Sequence, residues 1–282
     1  MRAYESSTGI GRYGVIDLLA DRINDLRYRI CGDPEVPTLI HVTHAKAGST
    51  WIAHLLSRLF RTRCEPRGSN AARGVRMSDY VFQRGRVYSA MFMKRQEVDE
   101  HPELAGVPRV VVIRDLRDTL ISLYFSLKFS HPRENRVVDE TRDLLQSLGE
   151  EEGLLYLIQN RLHRIADLQC SWIGHDLVLR YEELIERPFP TLGTVLIDRL
   201  NLPISKAALS RAIRRTHFQQ VFRRKLGEED VKSHGRSGLP GDWCRYFTPE
   251  VRRQFAEKFG DVLISTGYEK DLRWVDEPNR LI

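Results

Sequence analysis

The chain has 282 residues, of which 41% are hydrophobic and 29% charged, so it can bury a core without disulfide or metal staples. Its four cysteines form no CxxC pair, which argues against a zinc site and a disulfide framework and favours a reducing, cytoplasmic compartment. No signal peptide is visible, and no apolar run reaches the ~18 residues of a membrane span. The net charge of +6 fits an anionic partner: nucleic acid, a membrane surface or a phosphorylated cofactor.

The predicted elements alternate between strands and helices. Residues 1–35 are predicted to form a tail, a short amphipathic helix at 16–30 and a turn. Apolar runs predict strands at 38–42, 87–93, 109–113 and 176–180, and helical spacing predicts helices at 51–60, 115–128, 154–172, 188–200, 205–215 and 249–260. The polar segment 61–80 is predicted to be a loop, and the charged segment 131–152 is predicted to be exposed. This alternation favours one domain with a parallel sheet covered on both faces.

The first candidate anion site is the turn between the first strand and the first helix of that core, in residues 43–51 (THAKAGSTW). Backbone amides at a helix N-terminus face this turn, and the helix dipole favours an anion there. Gly48 permits close approach, Ser49 and Thr50 supply hydroxyl donors, and Lys46 supplies a positive charge. The Walker A spacing GxxxxGK[ST] is absent. The plain alternative is an ordinary strand–turn–helix with a capping Ser or Thr.

The second candidate site follows the strand RVVVI. Arg114 stands at the end of this strand, and Ser122 lies about two turns along the helix that follows. A guanidinium fork and a hydroxyl placed in this way could share one anion. The alternative is a surface ion pair between Arg114 and Asp118, with Ser122 facing solvent.

The third candidate site is the loop at residues 236–243 (RSGLPGDW). Two glycines and a proline predict a loop, which Arg236 opens. Such a loop can close over a phosphate, and its alternative is a plain surface turn. Other arginine-rich stretches, at 211–215 and 223–225, are interpreted as solvated faces.

Together these motifs resemble the PAPS-dependent sulfotransferases, where PAPS is 3′-phosphoadenosine-5′-phosphosulfate. THAKAGSTW is similar to that family's 5′-phosphosulfate loop TYPKSGTTW, RDLRDTLISLY to its 3′-phosphate motif, and RSGLPGDW to its RKGxxGDW loop. RYEEL at 180–184 and THF at 216–218 are similar to the family's RYEDL and TSF. The resemblance covers roughly residues 36–270 in family order. It implies one α/β domain at 36–282, with a mainly parallel sheet flanked by helices and a P-loop-like phosphosulfate loop.

The resemblance also implies roles for individual residues. Lys46 would contact the oxygen that bridges phosphate and sulfate. The 5′-phosphate would be cradled by Ala47, Gly48, Ser49 and Thr50. The 3′-phosphate would be held by Arg114, Ser122, Arg236, Ser237 and Gly238. The adenine would be surrounded by Trp51, Tyr181, Thr216 and Phe218, although core packing is an alternative for Trp51 and Phe218.

The chemistry expected of such a site is an in-line displacement in which negative charge develops on the leaving oxygen. A lysine aimed at that oxygen stabilises the charge where it forms, and no metal is expected. The general base is harder to assign, because Gln96 occupies the position where cytosolic relatives carry a histidine. Glu97 is the first candidate, with His101 and His44 in reserve, and each has an exposed or satisfied structural role as its alternative.

The sequence therefore predicts a sulfotransferase that moves a sulfuryl group from PAPS, leaving PAP, to a hydroxyl or amine. The alternative is a catalytically silent PAP- or PAPS-binding protein with a regulatory role. A P-loop kinase is disfavoured by the missing Walker motif, and nucleic-acid binding by the absence of interleaved aromatics. Ser237 replaces a family lysine, which predicts weaker PAPS binding. The acceptor (a small molecule, glycan or lipid) and the oligomeric state, homodimer included, stay open.

Overall fold

The structure is a computed structural model that describes residues 36–62, 64–65, 80–132, 135–233 and 235–276. The helix predicted at 16–30 and most of the loop predicted at 61–80 lie outside the described residues. None of the described helices combines the length and the apolarity that a bilayer-crossing segment needs.

A parallel sheet forms the centre of the α/β domain. Its four strands are β1 (Leu39–Val42), β2 (Val87–Met91), β3 (Arg109–Ile113) and β4 (Val178–Arg180). They lie in the order β2-β1-β3-β4, and every neighbouring pair is parallel. The chain adds β2 on one side of β1 and then crosses to add β3 on the other. The carboxyl ends of β1 and β3 therefore flank a topological switch point, where open α/β sheets bind ligands.

Helices follow the strands along the chain. They are α1 (Ser49–Phe60), α2 (Arg95–Asp99), α3 (Leu116–Phe125), α4 (Arg136–Ser147), α5 (Glu150–Asn160), α6 (His163–Trp172), α7 (Tyr181–Glu186), α8 (Pro188–Gly193), α9 (Lys206–Thr216), α10 (Phe218–Phe222) and α11 (Pro249–Ser265). Single π turns extend α3 over Ser126–Ser130 and α8 over Thr194–Arg199.

Two sequence expectations differ from these helices. The segment predicted as one helix at 154–172 is two, α5 and α6, separated by a turn at Arg161 and Leu162. The segment 131–152, expected to be exposed because it is charged, contains the whole of α4 in its described part. The side chain of Leu145 in α4 is fully buried, because apolar residues at helical spacing bury one face while the charges occupy the other.

Alternate side chains of the strands enter separate cores. Val110 and Val112 of β3 pack with α1 and α9, whereas Val111 packs on the other face with Trp172 of α6. This alternation follows from the two-residue period of a strand. A third core joins α3, α5 and α11. Both faces of the sheet are thus covered, and its carboxyl edge is left as the place where loops of different strands meet.

Candidate active site

The loop that follows β1 is shaped by left-handed backbone. Lys46 and Gly48 have φ angles of 72° and 75°, and Gly48 is the N-cap of α1. A Cβ atom added to Gly48 would lie 2.8 Å from the ring of Tyr181. Because both the positive φ and this close approach exclude a side chain, Gly48 brings the start of α1 against the residue that follows β4.

Arg114 directly follows β3, and its side chain reaches the same loop. Its Nη1 donates a hydrogen bond to the carbonyl oxygen of Lys46 at 3.1 Å, and its guanidinium lies 4.7 Å from the ring centroid of Tyr181. Nη2 is 3.7 Å from Oδ2 of Asp118. Burial alone would lower the pKa of Arg114, but nearby carboxylates, Asp118 first, raise it instead. The arginine is therefore a fixed positive charge at the switch point.

Lys46 has no such counter-charge. Its side chain forms no hydrogen bond or ion pair with any residue of the described ranges. Burial, together with the positive charges of Arg114 and Arg236, lowers the pKa of Lys46 to about 8. Three cations thus converge here from three separate loops. A group of this kind is stabilised when an anion joins it.

Arg236 is the third cation, and the loop that carries it is tied to the start of α3. Its guanidinium pairs with the carboxylates of Glu229 and Asp242 and lies 4.6 Å from the ring centroid of Phe125. The carboxylate of Asp118 accepts hydrogen bonds from the backbone amides at positions 241 and 243, at 2.7 and 3.0 Å. The second and third sequence motifs are therefore joined through one buried aspartate.

Aromatic side chains link the remaining parts of the three motifs. Nε1 of Trp51 donates to Oγ1 of Thr216 at 3.2 Å. The hydroxyl of Tyr181 donates to the carbonyl of Gly238 at 3.2 Å. A Cβ atom on Gly238 would lie 2.8 Å from the ring of Phe218, so this glycine also permits a close approach. The structure thereby brings Tyr181 and Phe218 next to glycines expected at the phosphates, and it joins Trp51 to Thr216.

The hydroxyl residues of the motifs are placed as follows. Ser49 and Thr50 are the first two residues of α1, and Ala47 is buried just before them. Ser122 is partly exposed on α3, two turns from Arg114. Ser237 is buried, and its hydroxyl accepts a hydrogen bond from the amide of Leu239 at 3.2 Å. Ser237 therefore shapes its own loop.

The three base candidates lie in different settings. Glu97 is exposed, and its carboxylate accepts the amide of Lys94 as a cap of α2 at 2.5 Å. His101 is buried, edge-on to Phe82 with ring centroids 4.8 Å apart, and its Nδ1 is 3.2 Å from a carboxylate oxygen of Glu103. Phe82 precedes β2, so His101 packs toward the amino ends of the strands.

His44 is buried, and both of its ring nitrogens have hydrogen-bond partners. Its Nδ1 lies 2.8 Å from the carbonyl of Ala45, while Nε2 accepts the amide of Arg114 at 3.2 Å and lies 2.7 Å from Nε2 of Gln169. Burial lowers the pKa of His44 to about 4, so the ring is neutral. Because both nitrogens are occupied, His44 positions the loops after β1 and β3 relative to each other.

Two positioning residues were not singled out from the sequence. Gln169, on α6, donates to the carbonyl of Arg114 at 2.7 Å and has no exposed surface. Asp118 was considered only as a surface ion-pair partner, yet it is buried. Its placement four residues after Arg114, on the inner side of a helix, was the available signal for Asp118. Nothing local marks Gln169.

The site has the chemistry that a doubly phosphorylated ligand needs. Among the described residues, the buried Nε atoms of Arg114 and Arg236 have no hydrogen-bond partner, although buried donors are normally paired. Together with the uncompensated Lys46, they leave donors and charge for at least one anion. The residues therefore fit PAPS. No group of His, Cys, Asp and Glu that could hold a metal occurs in the described ranges.

Comparisons with known proteins identify a family and a fold for this chain. The profile of the family described as "Sulfotransferase domain" matches residues 107–267. The mouse sulfotransferase SULT7A1, solved in complex with PAP, has a similar structure, with a TM-score of 0.56, 16% identity, and coverage of 92% of this chain and 94% of that one.

Two structures of retinol dehydratase are also similar. The one with androsterone and PAP has a TM-score of 0.47 and 14% identity, and covers 86% of this chain and 85% of that one. The one with retinol and PAP has a TM-score of 0.45 and 13% identity, with 86% of each chain covered. A search of curated protein sequences finds no match. Since the family profile spans more than half of the chain, the protein belongs to the sulfotransferase-domain family.

Proposed function

Starting from this membership, we propose that the protein transfers a sulfuryl group from PAPS to a hydroxyl or amine of an acceptor. The observation that carries the proposal is the convergence of Lys46, Arg114 and Arg236, with no acidic partner for Lys46 among the described residues. A group that brings a 5′-phosphosulfate and a 3′-phosphate would supply the missing negative charge.

The chain's own residues divide the binding between them. Ala47, Gly48, Ser49 and Thr50 place backbone amides and hydroxyls at the N-terminus of α1 for the 5′-phosphate. The 3′-phosphate is assigned to Arg114, Ser122, Arg236, Ser237 and Gly238. The rings of Trp51, Tyr181 and Phe218, with Thr216, are assigned to the adenine. Sequence resemblance and the contacts around Gly48 and Gly238 support these assignments.

Lys46 is assigned the role of stabilising the leaving oxygen. When bound, PAPS supplies an activated sulfuryl group whose departure leaves charge on the 5′-phosphate. A half-buried ammonium close to that oxygen acts more strongly than an exposed one, because fewer waters compete with it. Its lowered pKa of about 8 still leaves most of the population protonated at neutral pH. The transfer is expected to proceed without an added metal.

The base is assigned to Glu97 as the exposed candidate of the three. The Glu97→Gln variant tests this assignment cleanly, because an amide oxygen can still accept the cap hydrogen bond from Lys94. Loss of a general base lowers the rate by ~10²–10⁴-fold. An unchanged rate with unchanged thermal stability would restrict Glu97 to its capping role. His101→Gln and His44→Gln are then the next variants to assay.

The experiment that tests the proposal as a whole has two parts. Calorimetric titration should show tight binding of PAP and weaker binding of 5′-ADP, which lacks the 3′-phosphate. Incubation with sulfate-labelled PAPS and a panel of phenols, alcohols, amines, sugars and sterols should then transfer label to at least one acceptor. Equal affinity for PAP and 5′-ADP would contradict the assigned 3′-phosphate site.

A catalytically silent PAP-binding protein is the second candidate function. The observation that favours it is that the ring nitrogens of His44 are both engaged and that Glu97 is used as a cap. This candidate predicts PAP binding without label transfer to any acceptor, and a Lys46→Ala variant with wild-type PAP affinity. The cytoplasmic location and the acceptor class stay predictions.

A further inference from the structure

A second cluster of positive charge lies away from the proposed active site, in a groove between α1 and α9. The groove has a volume of about 350 Å³. It is lined by Leu59, Ala208 and Ala212 and by four arginines: Arg58, Arg61, Arg211 and Arg215. Sequence reasoning interprets such arginines as a solvated face, but the fold gathers them from two helices around one concavity.

These four arginines lack the carboxylate partners that many arginines of the described ranges have. None of them forms an ion pair or a side-chain hydrogen bond with a residue in the described part of the chain. The described residues that line the groove include no carboxylate. By contrast, Arg95, Arg109, Arg136, Arg245 and Arg273 all pair with carboxylates. Four unbalanced guanidinium groups repel one another unless an anion lies between them.

Local helix energetics do not account for the whole cluster. Helix dipoles favour cations in the last turns of α1 and α9, and this explains the positions of Arg58 and Arg215. Arg211 lies one turn earlier on α9, four residues from Arg215, where a like charge is unfavourable. Arg61 has a positive φ of 51° at the C-cap of α1, a position that favours glycine. The local preferences of the two helices therefore disfavour both Arg211 and Arg61.

The groove is also separate from the proposed PAPS site. Arg58 is ten residues beyond Gly48 on α1, which places it about 15 Å farther along the helix at 1.5 Å per residue. The phosphates assigned to the loop at the N-terminus of α1 therefore lie at the other end of this helix. An anion in the groove is a different ligand, and this inference stands independently of the proposed function.

We propose that the groove is a binding site for a small anion carrying at least two phosphate or sulfate groups. The volume lies within the range of small-molecule sites, about 300–1,000 Å³, and is too confined for a folded partner. Guanidinium groups bind phosphate and sulfate oxygens in bidentate fashion, so four of them match several such groups on one molecule. The source is either a free polyphosphate-like metabolite or a multiply phosphorylated lipid headgroup.

The test uses the full chain and inorganic tripolyphosphate as the probe, with binding measured by calorimetry. The groove variant Arg58→Gln/Arg215→Gln should bind the probe roughly tenfold or more weakly, because each charged hydrogen bond removed costs affinity. The matched control is Arg214→Gln/Arg223→Gln, which removes the same charge outside the groove and should bind within about twofold of wild type. A Lys46→Met variant should retain the groove binding.

The outcomes decide the proposal. Equal weakening in the groove and control variants, or loss only in Lys46→Met, would overturn it. So would binding of a long polyanion such as RNA without binding of tripolyphosphate, because that describes a macromolecular surface. Vesicles of phosphatidylcholine with and without a phosphoinositide bisphosphate identify the source. Vesicle binding that depends on Arg58 and Arg215 indicates a lipid headgroup, and tripolyphosphate binding alone indicates a free anion.

Discussion

Arg114 and Arg117 lie three residues apart at the start of α3, but they differ in how completely their donors are partnered. Arg117 is fully buried between the rings of Trp243 and Trp274, whose centroids lie 4.0 and 4.8 Å from its guanidinium. It pairs with Asp115 at 2.7 Å and with Glu269 at 2.7 Å. Every nitrogen of this guanidinium has a partner.

In the cluster of Lys46, Arg114 and Arg236, the two arginines are buried and Lys46 is half-buried, but the set of partners is incomplete. Two of its Nε atoms have no partner in the described part of the chain, and the ammonium has no counter-ion there. The difference shows how one helix start can serve both stability and binding. The complete network around Arg117 holds the backbone, whereas the incomplete cluster keeps charge available for a ligand.

The largest expected effect comes from breaking the complete network. The Arg117→Met variant leaves the buried Asp115 and the partly exposed Glu269 without their cation, which should lower the free energy of unfolding by about 3–5 kcal/mol. Urea denaturation measures this change. Arg136→Met is the matched control, because its pair with Glu140 is exposed and should contribute at most about 1 kcal/mol. Similar losses in both variants would refute the structural role of Arg117.

Removing a charge from the incomplete cluster should lower the transfer rate without lowering stability. Lys46→Met should lower the sulfuryl transfer rate by ~10²–10³-fold, because one donor to the developing charge is lost. The free energy of unfolding should stay the same or rise, since repulsion with Arg114 and Arg236 is relieved. Transfer assays and urea denaturation of the same preparation check both parts. A destabilised Lys46→Met variant would contradict the comparison.

The lowered pKa of Lys46 gives the next largest effect, on PAP affinity. Below its pKa of about 8 the free lysine is already charged, and a bound anion raises that pKa. Binding above pH 8 must therefore take up a proton, so affinity should fall as pH rises, to about one tenth at pH 9 compared with pH 7. Titrations in the Lys46→Met variant should lose this dependence. A flat wild-type profile would place the anion elsewhere.

The smallest effect on PAP affinity is expected from the hydrogen bond that joins Tyr181 to the third motif. The Tyr181→Phe variant keeps the ring beside Arg114 but removes the hydrogen bond to the carbonyl of Gly238. PAP binding should weaken by about 0.5–1.5 kcal/mol, the usual net value of one such bond. Calorimetry against wild type measures it. A loss above tenfold would mean that the hydroxyl contacts the ligand directly.

The central sheet could be predicted from sequence, because its strands are short apolar runs bounded by turns. β3 was predicted with its observed ends, and the strand predicted at 87–93 ends at Met91. The density of charge in segment 131–152 predicts exposure and does not reveal α4, although one face of that helix is buried. The sequence also gives no sign that segment 154–172 forms two helices, since neither Pro nor Gly marks the turn at Arg161 and Leu162.

The site was predictable in its residue types but not in its connections. Lys46, Arg114 and Arg236 stand in legible motifs, each with a local signature. Their mutual contacts are set by residues that pair over long sequence distances, such as Asp118 with the amides at 241 and 243 and Gln169 with the carbonyl of Arg114. Such pairings have no local pattern, so only the folded chain reveals them.

The two backbone amides that Asp118 binds, at positions 241 and 243, also bear on the order in which the structure forms during synthesis of the chain. β1 and β2 are synthesised early, but Asp118 stays without these partners until residue 243 has left the ribosome. A nascent chain that stops before that point has its central strands yet carries an aspartate unsuited to an apolar setting. The proposed active site should therefore be among the last features completed during biosynthesis, and a partly made chain should not bind PAP.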